Sequence, residues 1–384
     1  MLKFGFKKTI STLLLVLILL QCISLPSFAD GMNFDCKSTI LMEASTGKVL
    51  FESNADQALP PASVTKVMTL LLVMEAIDSG KISLEDTVQV SDNAASMGGS
   101  QVYLEPGETM TVDEMIKCVV VSSANDAAVA LAEFVAGSEE MFVEKMNARA
   151  KELKLENTHF ENTNGLDDSV SNHLTSARDI AIMSRELISH KKILEYSSIW
   201  MDTIRNGAFT LSNTNRLIRF YKGANGLKTG STSKAGFCIS ATALRDGMQL
   251  IAVVMGAQNR DTRNEIAKKL LDYGFANYTV ASWESSSAEP IHVLGGLKNE
   301  CTLICDGFNI VLGKGEREAV KRELELPETI AAPIREGDVI GKIIYTLNGE
   351  VVGESEIKAA ENVDKIGFFG VVSRILRHSL LACK

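Results

Sequence analysis

The chain has 384 residues, 46% hydrophobic and 23% charged, a composition typical of globular proteins rather than of disordered or fibrous ones. This length favours two domains. The net charge of −9 argues against a nucleic-acid partner, because such a partner needs a basic surface. The seven cysteines lack CxxC spacing, and neither a Walker phosphate loop nor a His-Glu-x-x-His motif occurs, so we expect no metal site.

Residues 1–29 are predicted to be an export signal. Three lysines precede the unbroken apolar run Leu13–Leu20, and Ser27 and Ala29 supply the small residues that a signal peptidase requires. The alternative is a retained anchor helix, but the run is short for a membrane span and Pro26 follows it. We therefore expect cleavage after Ala29 and a mature protein outside the cytoplasm.

Residues 30–281 are predicted to form one α+β domain. Ser38–Met42 and Lys48–Glu52 have the pattern of paired strands, and a long helical stretch follows from about residue 63 to about residue 198. Three further strands and a helix are predicted at Gly226–Gly230, Phe237–Leu244, Leu250–Gly256 and Asn264–Gly274. Strands at both ends of the domain indicate one antiparallel sheet, with the helices inserted between its first and last segments.

The segment Pro60–Lys66 contains the first residues that carry chemistry. Its prolines precede a helix, and Ser63 and Lys66 are three residues apart at the start of that helix. At this spacing the amine can reach the hydroxyl and, if neutral, accept its proton. A serine at a helix start beside a surface lysine would have the same pattern, so the motif alone is weak.

Two more polar motifs follow in the chain. Ser123 and Asn125 come after an apolar helix, where helix capping is the ordinary interpretation. Lys228, Thr229 and Gly230 lie in the predicted strand Gly226–Gly230, for which they are poor packing material. They fit if the glycine permits a ligand to approach the backbone and the other two residues hold an anion. An ordinary polar strand edge is the alternative.

The last hundred residues are predicted to form two smaller parts. Composition shifts to Ser and Glu around 282–288, which we interpret as a linker, and residues 282–361 show the short alternating runs of a small β domain. Residues 362–384 have helical periodicity, with five apolar residues on one face, four Lys or Arg from Lys365 onward and no acid. Such a helix suits an anionic membrane surface, although packing against the protein body is the alternative.

Taken together, the three motifs point to a family. Ser63–Lys66, Ser123–Asn125 and Lys228–Gly230 resemble the SxxK, SxN and KTG set of penicillin-binding proteins and serine β-lactamases, in the same order. The surrounding segments narrow the resemblance to low-molecular-mass D-alanyl-D-alanine carboxypeptidases. Those segments are Leu104–Glu108, Asn125–Ala127, Asn162–Leu166 and Thr175–Asp179. The resemblance covers essentially the whole chain, including the export signal, the β domain and the terminal helix.

This resemblance implies a mechanism for the first two motifs. Ser63 is expected to be the acylated nucleophile and Lys66 its general base, while Ser123 relays a proton to the leaving amine and Asn125 holds the substrate backbone. The enzyme would release the terminal D-alanine of a peptidoglycan stem pentapeptide, and water would then hydrolyse the acyl-enzyme. β-Lactams should acylate the same serine, and no cofactor is required.

The third motif is expected to bind the substrate's terminal carboxylate. Lys228 would hydrogen-bond the second serine and raise the positive potential, and Thr229 would contact the carboxylate. The backbone N–H groups of the nucleophile and of Ser231 match the family's oxyanion hole. Arg263 matches an arginine near the carboxylate pocket, although Arg260 is three residues away and equally cationic.

One departure from the pattern narrows the function. Ala124 stands where class A β-lactamases have aspartate, and no segment resembles the one that carries their deacylating glutamate, which argues against an antibiotic-resistance enzyme. Lys66 is then the candidate base for deacylation. The motifs leave open a DD-endopeptidase or weak transpeptidase acting through the same site, and also a non-catalytic penicillin-binding wall protein. Resemblance places the protein on the outer face of the cytoplasmic membrane, attached through its C-terminus.

Overall fold

A computed structural model describes residues 32–167 and 170–381 of the chain, so the predicted export signal, residues 1–29, lies outside it. Contacts divide the chain after Asp35, and every element named below belongs to the unit that begins at Cys36. The strands, in chain order, are β1 (Ser38–Glu43), β2 (Val49–Ser53), β3 (Thr87–Gln89), β4 (Thr109–Thr111), β5 (Met201–Ile204), β6 (Phe209–Ser212), β7 (Ala224–Thr232), β8 (Gly236–Arg245), β9 (Met248–Ala257), β10 (Tyr278–Trp283), β11 (Ser286–Leu294), β12 (Glu300–Cys305), β13 (Phe308–Gly313), β14 (Val320–Glu325), β15 (Thr329–Ala331), β16 (Val339–Leu347) and β17 (Glu350–Ala359). The helices are α1 (Lys66–Asp78), α2 (Asp92–Ala95), α3 (Val112–Val121), α4 (Asn125–Ala136), α5 (Glu139–Glu152), α6 (Ala177–Ser189), α7 (Lys192–Ser197), α8 (Leu217–Phe220), α9 (Arg260–Asn277) and α10 (Phe368–Leu381).

A five-stranded antiparallel sheet forms the frame of the first domain, in the order β2-β1-β9-β8-β7. Its central strands β8 and β9 are rich in β-branched and small apolar residues and are buried along most of their length, as expected for strands covered on both faces. In register, Ile40 of β1 lies opposite Val253 of β9. The prediction of one sheet closed by the first and last segments of the domain is confirmed.

The helices inserted between β2 and β7 begin where local sequence signals favour a helix start. Thr111 and Glu114 form a capping box at the start of α3, and Ser138 and Ser176 accept backbone N–H groups at the starts of α5 and α6. Helix α4 is buried on nearly all sides, so its alanines allow the neighbouring helices to approach closely. The result is a helical region whose apolar side chains share one core with α1 and the sheet.

A six-stranded mixed sheet forms most of the C-terminal region, in the order β14-β16-β17-β12-β11-β15, while β10 pairs with β13. Strand β12 alternates exposed and buried residues, the pattern of a sheet with one solvent face. Trp283, Phe308 and Tyr345 form an aromatic cluster in which Phe308 stacks on the other two rings. The small β domain is confirmed, but the predicted linker at 282–288 is wrong, because β10 and β11 run through nearly all of it.

Helix α10 carries an exposed apolar surface. Phe368, Phe369, Ile375 and Leu376 are between 57% and 87% exposed. Arg374 donates a hydrogen bond to the carbonyl of Leu297, 3.0 Å away. Among the described helices, none combines the length and the hydropathy that crossing a membrane requires.

Candidate active site

Ser63 lies in a tight turn that leads into α1. The turn is a 3₁₀ helix, Ala62–Thr65, and Lys66 is the first residue of the α-helix. Ala62, immediately before the serine, has a φ of +49°, a left-handed conformation that costs a non-glycine residue about 1–2 kcal/mol. Packing must hold this residue in place, because strain of this kind persists only where neighbouring structure fixes it.

The amine of Lys66 is completely buried and lies against the serine. Its Nζ is 3.0 Å from Ser63 Oγ, 2.5 Å from the amide oxygen of Asn125 and 2.8 Å from the main-chain oxygen of Asn164. Burial, and secondly the positive charge of Lys228, hold the pKa of Lys66 well below its usual range, while Asp126 opposes this shift. The proximity that the SxxK spacing predicts is therefore present, together with a cause for the neutral amine.

Ser123 is presented by the turn between α3 and α4. The backbone N–H of Ala124 bonds back to the carbonyl of Cys118, and Ser123 adopts a φ of +62°, the position that glycine usually occupies at a helix end. This turn brings its hydroxyl to the third motif, where Lys228 Nζ donates to Ser123 Oγ at 2.8 Å. Ser123 is 3% exposed.

Lys228 and Thr229 are held on the buried strand β7. Lys228 is 1% exposed and also donates to the carbonyl of Thr229, at 2.9 Å. Burial first and the charge of Arg263 second lower the pKa of Lys228 to about 7. Thr229 Oγ1 donates to the hydroxyl of Thr214, 2.8 Å away. This lysine therefore changes charge near neutral pH.

Gly230 is required by the packing of β7 against the nucleophile turn. A Cβ added at Gly230 would lie 2.7 Å from the backbone N of Ser63 and 2.9 Å from that of Val64. The sequence predicts that a ligand approaches the backbone at Gly230, whereas in the structure the chain itself makes this close approach. This packing brings the backbone N of Ser63 close to Gly230, which is the residue before Ser231 on β7.

A cleft of about 640 Å³ opens beside these residues. Ser63, Ser123, Thr229, Gly230, Ser231 and Arg263 all line it, with Arg216 and Arg260. Arg263 is 3% exposed and donates to the side-chain oxygen of Asn264, and Arg260 and Arg216 add to its positive surroundings. Burial, mainly, lowers its pKa to about 10. The cleft therefore has a cationic wall suited to an anion, and Arg260 belongs to it as well as Arg263.

Asn125 is placed behind the cleft rather than on its wall. Its amide oxygen accepts from Lys66 and its amide nitrogen donates to the carbonyl of Gly98 at 2.7 Å. In this arrangement it holds the lysine. Sequence patterns do not identify Thr214 or the carbonyl of Asn164, although Asn164 lies in the family segment Asn162–Leu166. Among the described residues, no group of three His, Cys, Asp or Glu side chains is placed to hold a metal ion.

Comparison with known proteins decides the family. A model of the D-alanyl-D-alanine carboxypeptidase family matches residues 26–259. The chain belongs to this family. A second model, the C-terminal domain of penicillin-binding protein 5, matches residues 285–365. D-alanyl-D-alanine carboxypeptidase DacF from Bacillus subtilis is 42% identical over 96% of this chain and 98% of its own length.

Solved structures of this family have the same architecture. Penicillin-binding protein 5 from Haemophilus influenzae is 32% identical and covers 88% of this chain and 100% of its own, with a TM-score of 0.77. Penicillin-binding protein D2 from Listeria monocytogenes, in its ampicillin-bound form, is 31% identical and covers 64% of this chain and 99% of its own, with a TM-score of 0.59. The predicted fold class and the predicted enzyme class, a serine-type D-Ala-D-Ala carboxypeptidase, are confirmed.

Proposed function

We propose that Ser63 is the nucleophile that removes the terminal D-alanine from peptidoglycan stem pentapeptides. The observation that carries this proposal is the 3.0 Å contact between Ser63 Oγ and the buried amine of Lys66. Serine needs a neighbouring base, and this amine is the base within reach whose environment favours the neutral form. In the first step Ser63 Oγ forms a bond to the carbonyl carbon of the substrate peptide, and the hydroxyl proton of Ser63 passes to Lys66 Nζ.

The leaving amine needs a proton, and we assign its delivery to Ser123. Because Lys228 donates to Ser123 Oγ, the hydroxyl proton of Ser123 is free to point toward the cleft and to pass to the departing nitrogen. The carbon–nitrogen bond then breaks and D-alanine leaves. The proton that Lys66 took from Ser63 passes to Ser123 Oγ, so that Ser123 is again a hydroxyl and Lys66 again a neutral amine. Water hydrolyses the ester in the second step, and Lys66 is our candidate for the base that activates it.

The specificity for a free C-terminus follows, in this proposal, from the cationic wall. An anion bound beside Lys228 would raise the pKa of this lysine from about 7, so that the amine would be fully protonated at neutral pH. The paired hydroxyls of Thr229 and Thr214 supply a donor for the carboxylate. We assign Arg263 a role mainly through its charge, since three of its five N–H groups already bond to Asn264 and to the carbonyl of Cys238.

The backbone N–H groups of Ser63 and Ser231 are assigned to the oxyanion hole. Removing one such donor typically costs a factor of about 10²–10³ in rate. Asn125 holds Lys66 in this proposal, and the contact with the substrate backbone that the resemblance implies stays a prediction.

Intact-mass spectrometry after penicillin treatment, followed by peptide mapping, tests the assignment. We expect one covalent adduct, on Ser63, and none in Ser63→Ala. The same variant should not release D-alanine from a pentapeptide, whereas an adduct on another residue would refute the assignment. Cleavage of cross-linked dimers with no release from pentapeptide would identify the endopeptidase instead.

We also propose that the protein is exported and held at the outer face of the membrane by α10. The exposed Phe368, Phe369 and Leu376, together with the basic residues of this helix, fit an anionic lipid surface. A variant lacking residues 364–384 should no longer sediment with phosphatidylglycerol vesicles but should keep its activity on soluble peptides. Equal sedimentation of both forms would count against the anchor.

A further inference from the structure

His173 and Thr65 form a directed chain of hydrogen bonds behind the nucleophile turn. The backbone N–H of Glu161 donates to His173 Nδ1 at 2.9 Å, and His173 Nε2 lies 2.7 Å from Thr65 Oγ1. Thr65 Oγ1 in turn donates to the carbonyl of Ala62 at 2.8 Å. Both side chains are buried, His173 at 4% and Thr65 at 1% exposure. This chain of hydrogen bonds thus begins at the backbone N–H of Glu161 and ends at the carbonyl of Ala62, the residue with the strained φ.

The proton positions in this chain are determined by its chemistry. A hydroxyl has a single proton, so Thr65, which donates to Ala62, must accept from His173. Since Nδ1 of the ring accepts from Glu161, the ring is neutral and carries its proton on Nε2. Burial lowers the pKa of His173 to about 4; His159 acts in the same direction, and Glu161 and Asp167 oppose it. The ring is therefore in the required form at neutral pH.

The carbonyl at the end of the chain controls the direction of a catalytic donor. The oxygen of Ala62 and the N–H of Ser63 belong to one planar peptide unit and point in opposite directions. Fixing the carbonyl therefore fixes the aim of the N–H, which lies beside Gly230 on β7. Gly165 supports the same point from another loop, because a Cβ there would lie 1.9 Å from the oxygen of Ala62.

We infer that His173 and Thr65 are positioning residues that aim the backbone N–H of Ser63 at the developing oxyanion. The inference rests on the proposed role of Ser63. An oxyanion donor acts mainly in the transition state, so a misdirected N–H slows acylation and leaves the preceding non-covalent binding nearly unchanged. Position matters steeply, since a displacement of about 1 Å can cost a factor of about 10².

Two matched pairs of variants test this inference. Thr65→Val removes the hydroxyl at nearly constant shape, whereas Thr65→Ser retains it. His173→Asn keeps an acceptor for the N–H of Glu161 but cannot donate to Thr65, whereas the longer His173→Gln can donate to Thr65. The measurement is stopped-flow acylation by a fluorescent penicillin, which separates the dissociation constant of the first complex from the acylation rate constant. Thermal melts report the folding of each variant.

We expect Thr65→Val to lower the acylation rate constant by about 10–100-fold and to change the dissociation constant by less than about twofold. Thr65→Ser should stay within about threefold of wild type. His173→Asn should lose roughly tenfold in acylation, and His173→Gln should recover most of that loss. Wild-type acylation rates in Thr65→Val, or equal rates in the two His173 variants, would overturn the inference.

These experiments separate a failure of the positioning role from a failure of the proposed role of Ser63. If wild type forms no adduct on Ser63, the assignment of the nucleophile is wrong. If wild type and Thr65→Val both acylate on Ser63 at the same rate, only the positioning role is wrong. Should Thr65→Val fail to fold, the comparison of His173→Asn with His173→Gln decides, because the two variants differ in the donor to Thr65.

Discussion

The cleft and the C-terminal sheet hold their lysines in different environments. Lys66 and Lys228 are buried, and in residues 32–167 and 170–381 no carboxylate lies within ion-pair distance of either one. Lys342 and Lys358, on β16 and β17, lie at the surface and pair with acidic side chains, such as Glu354 at 3.0 Å from Lys342. One chain thus uses the same residue type in two electrostatic settings.

The two settings shift the pKa of the amine in opposite directions. Burial lowers the pKa of Lys66 and of Lys228, whereas hydrogen bonds to carboxylates raise the pKa of Lys342 and of Lys358. A buried amine without a carboxylate loses its proton readily and can act as a base. A surface amine paired with glutamate keeps its charge and serves solubility. Burial without a carboxylate partner therefore distinguishes the two lysines of the cleft from the paired lysines of the C-terminal sheet.

Exchanging lysine for arginine in both regions gives the largest expected difference. Arginine keeps its proton at any ordinary pH, so Lys66→Arg should lower D-alanine release from a pentapeptide by roughly 10³-fold. The matched change Lys342→Arg should leave the rate unchanged, because a charged group there is all that the sheet requires. Steady-state release of D-alanine checks both variants, after circular dichroism has shown that they are folded. Appreciable activity in Lys66→Arg would mean that a neutral amine is not needed.

Sequence patterns were sufficient for the framework of the cleft. The three motifs, the outer strands of the domain and the helices α1 and α3 are all encoded locally, through apolar periodicity, prolines and caps. The spacing of Ser63 and Lys66 even indicates their contact, because both lie on one turn. The predicted linker at 282–288 is wrong because Ser and Glu are common on the exposed face of a strand as well as in loops.

The supporting residues could not be found in the same way. The carbonyl of Asn164 reaches Lys66 from 98 residues away, and Thr214 reaches Thr229 from a separate segment 15 residues earlier. A carbonyl carries no signature of its own, since every residue has one. His173 is one of five scattered histidines, and only its contact with Thr65, 108 residues away, distinguishes it from the others. Tertiary packing, and not local pattern, assigns such residues.

The stability of the protein should depend on pH through Lys228, whereas an exposed lysine contributes little. In the unfolded chain a lysine keeps its proton up to about pH 10.5, but Lys228 loses it at about 7 in the fold. The stabilisation is therefore fully present above pH 10.5 and is lost as the pH falls through about 7. From pH 7 to 9, the free energy of unfolding of wild type should rise by about 2 kcal/mol relative to Lys228→Met.

Urea denaturation at several pH values measures this difference. Lys66 contributes a dependence of the same sign in both proteins, so the difference between wild type and variant reports Lys228 together with its charge coupling to Lys66. A difference that stays flat between pH 7 and 9 would mean that Lys228 remains charged in the fold.

A methyl group should be harmful at Gly230, where backbone atoms crowd the residue, and harmless at Gly367, where none do. The added Cβ would lie 2.7 Å from the backbone N of Ser63, so either β7 or the nucleophile turn must move. We expect Gly230→Ala to lower the acylation rate constant by about 10–100-fold. Gly367→Ala is the matched control, since nothing lies within 4 Å of its new Cβ. Fluorescent-penicillin labelling compares both, and a wild-type rate in Gly230→Ala would show that the turn tolerates displacement.

The smallest effect is expected where the surface pairs of the C-terminal sheet are removed. Lys342 contacts Glu354 at 3.0 Å and Glu325 at 3.6 Å, but its side chain is 40% exposed, so water already screens these pairs. Lys342→Met should shift the melting temperature by less than about 2 °C and leave D-alanine release unchanged. Differential scanning calorimetry at low and high salt checks this. A shift of many degrees that disappears in salt would show that the sheet depends on its ion pairs, and the distinction between reactive and solubilising lysines would then need a third, structural class.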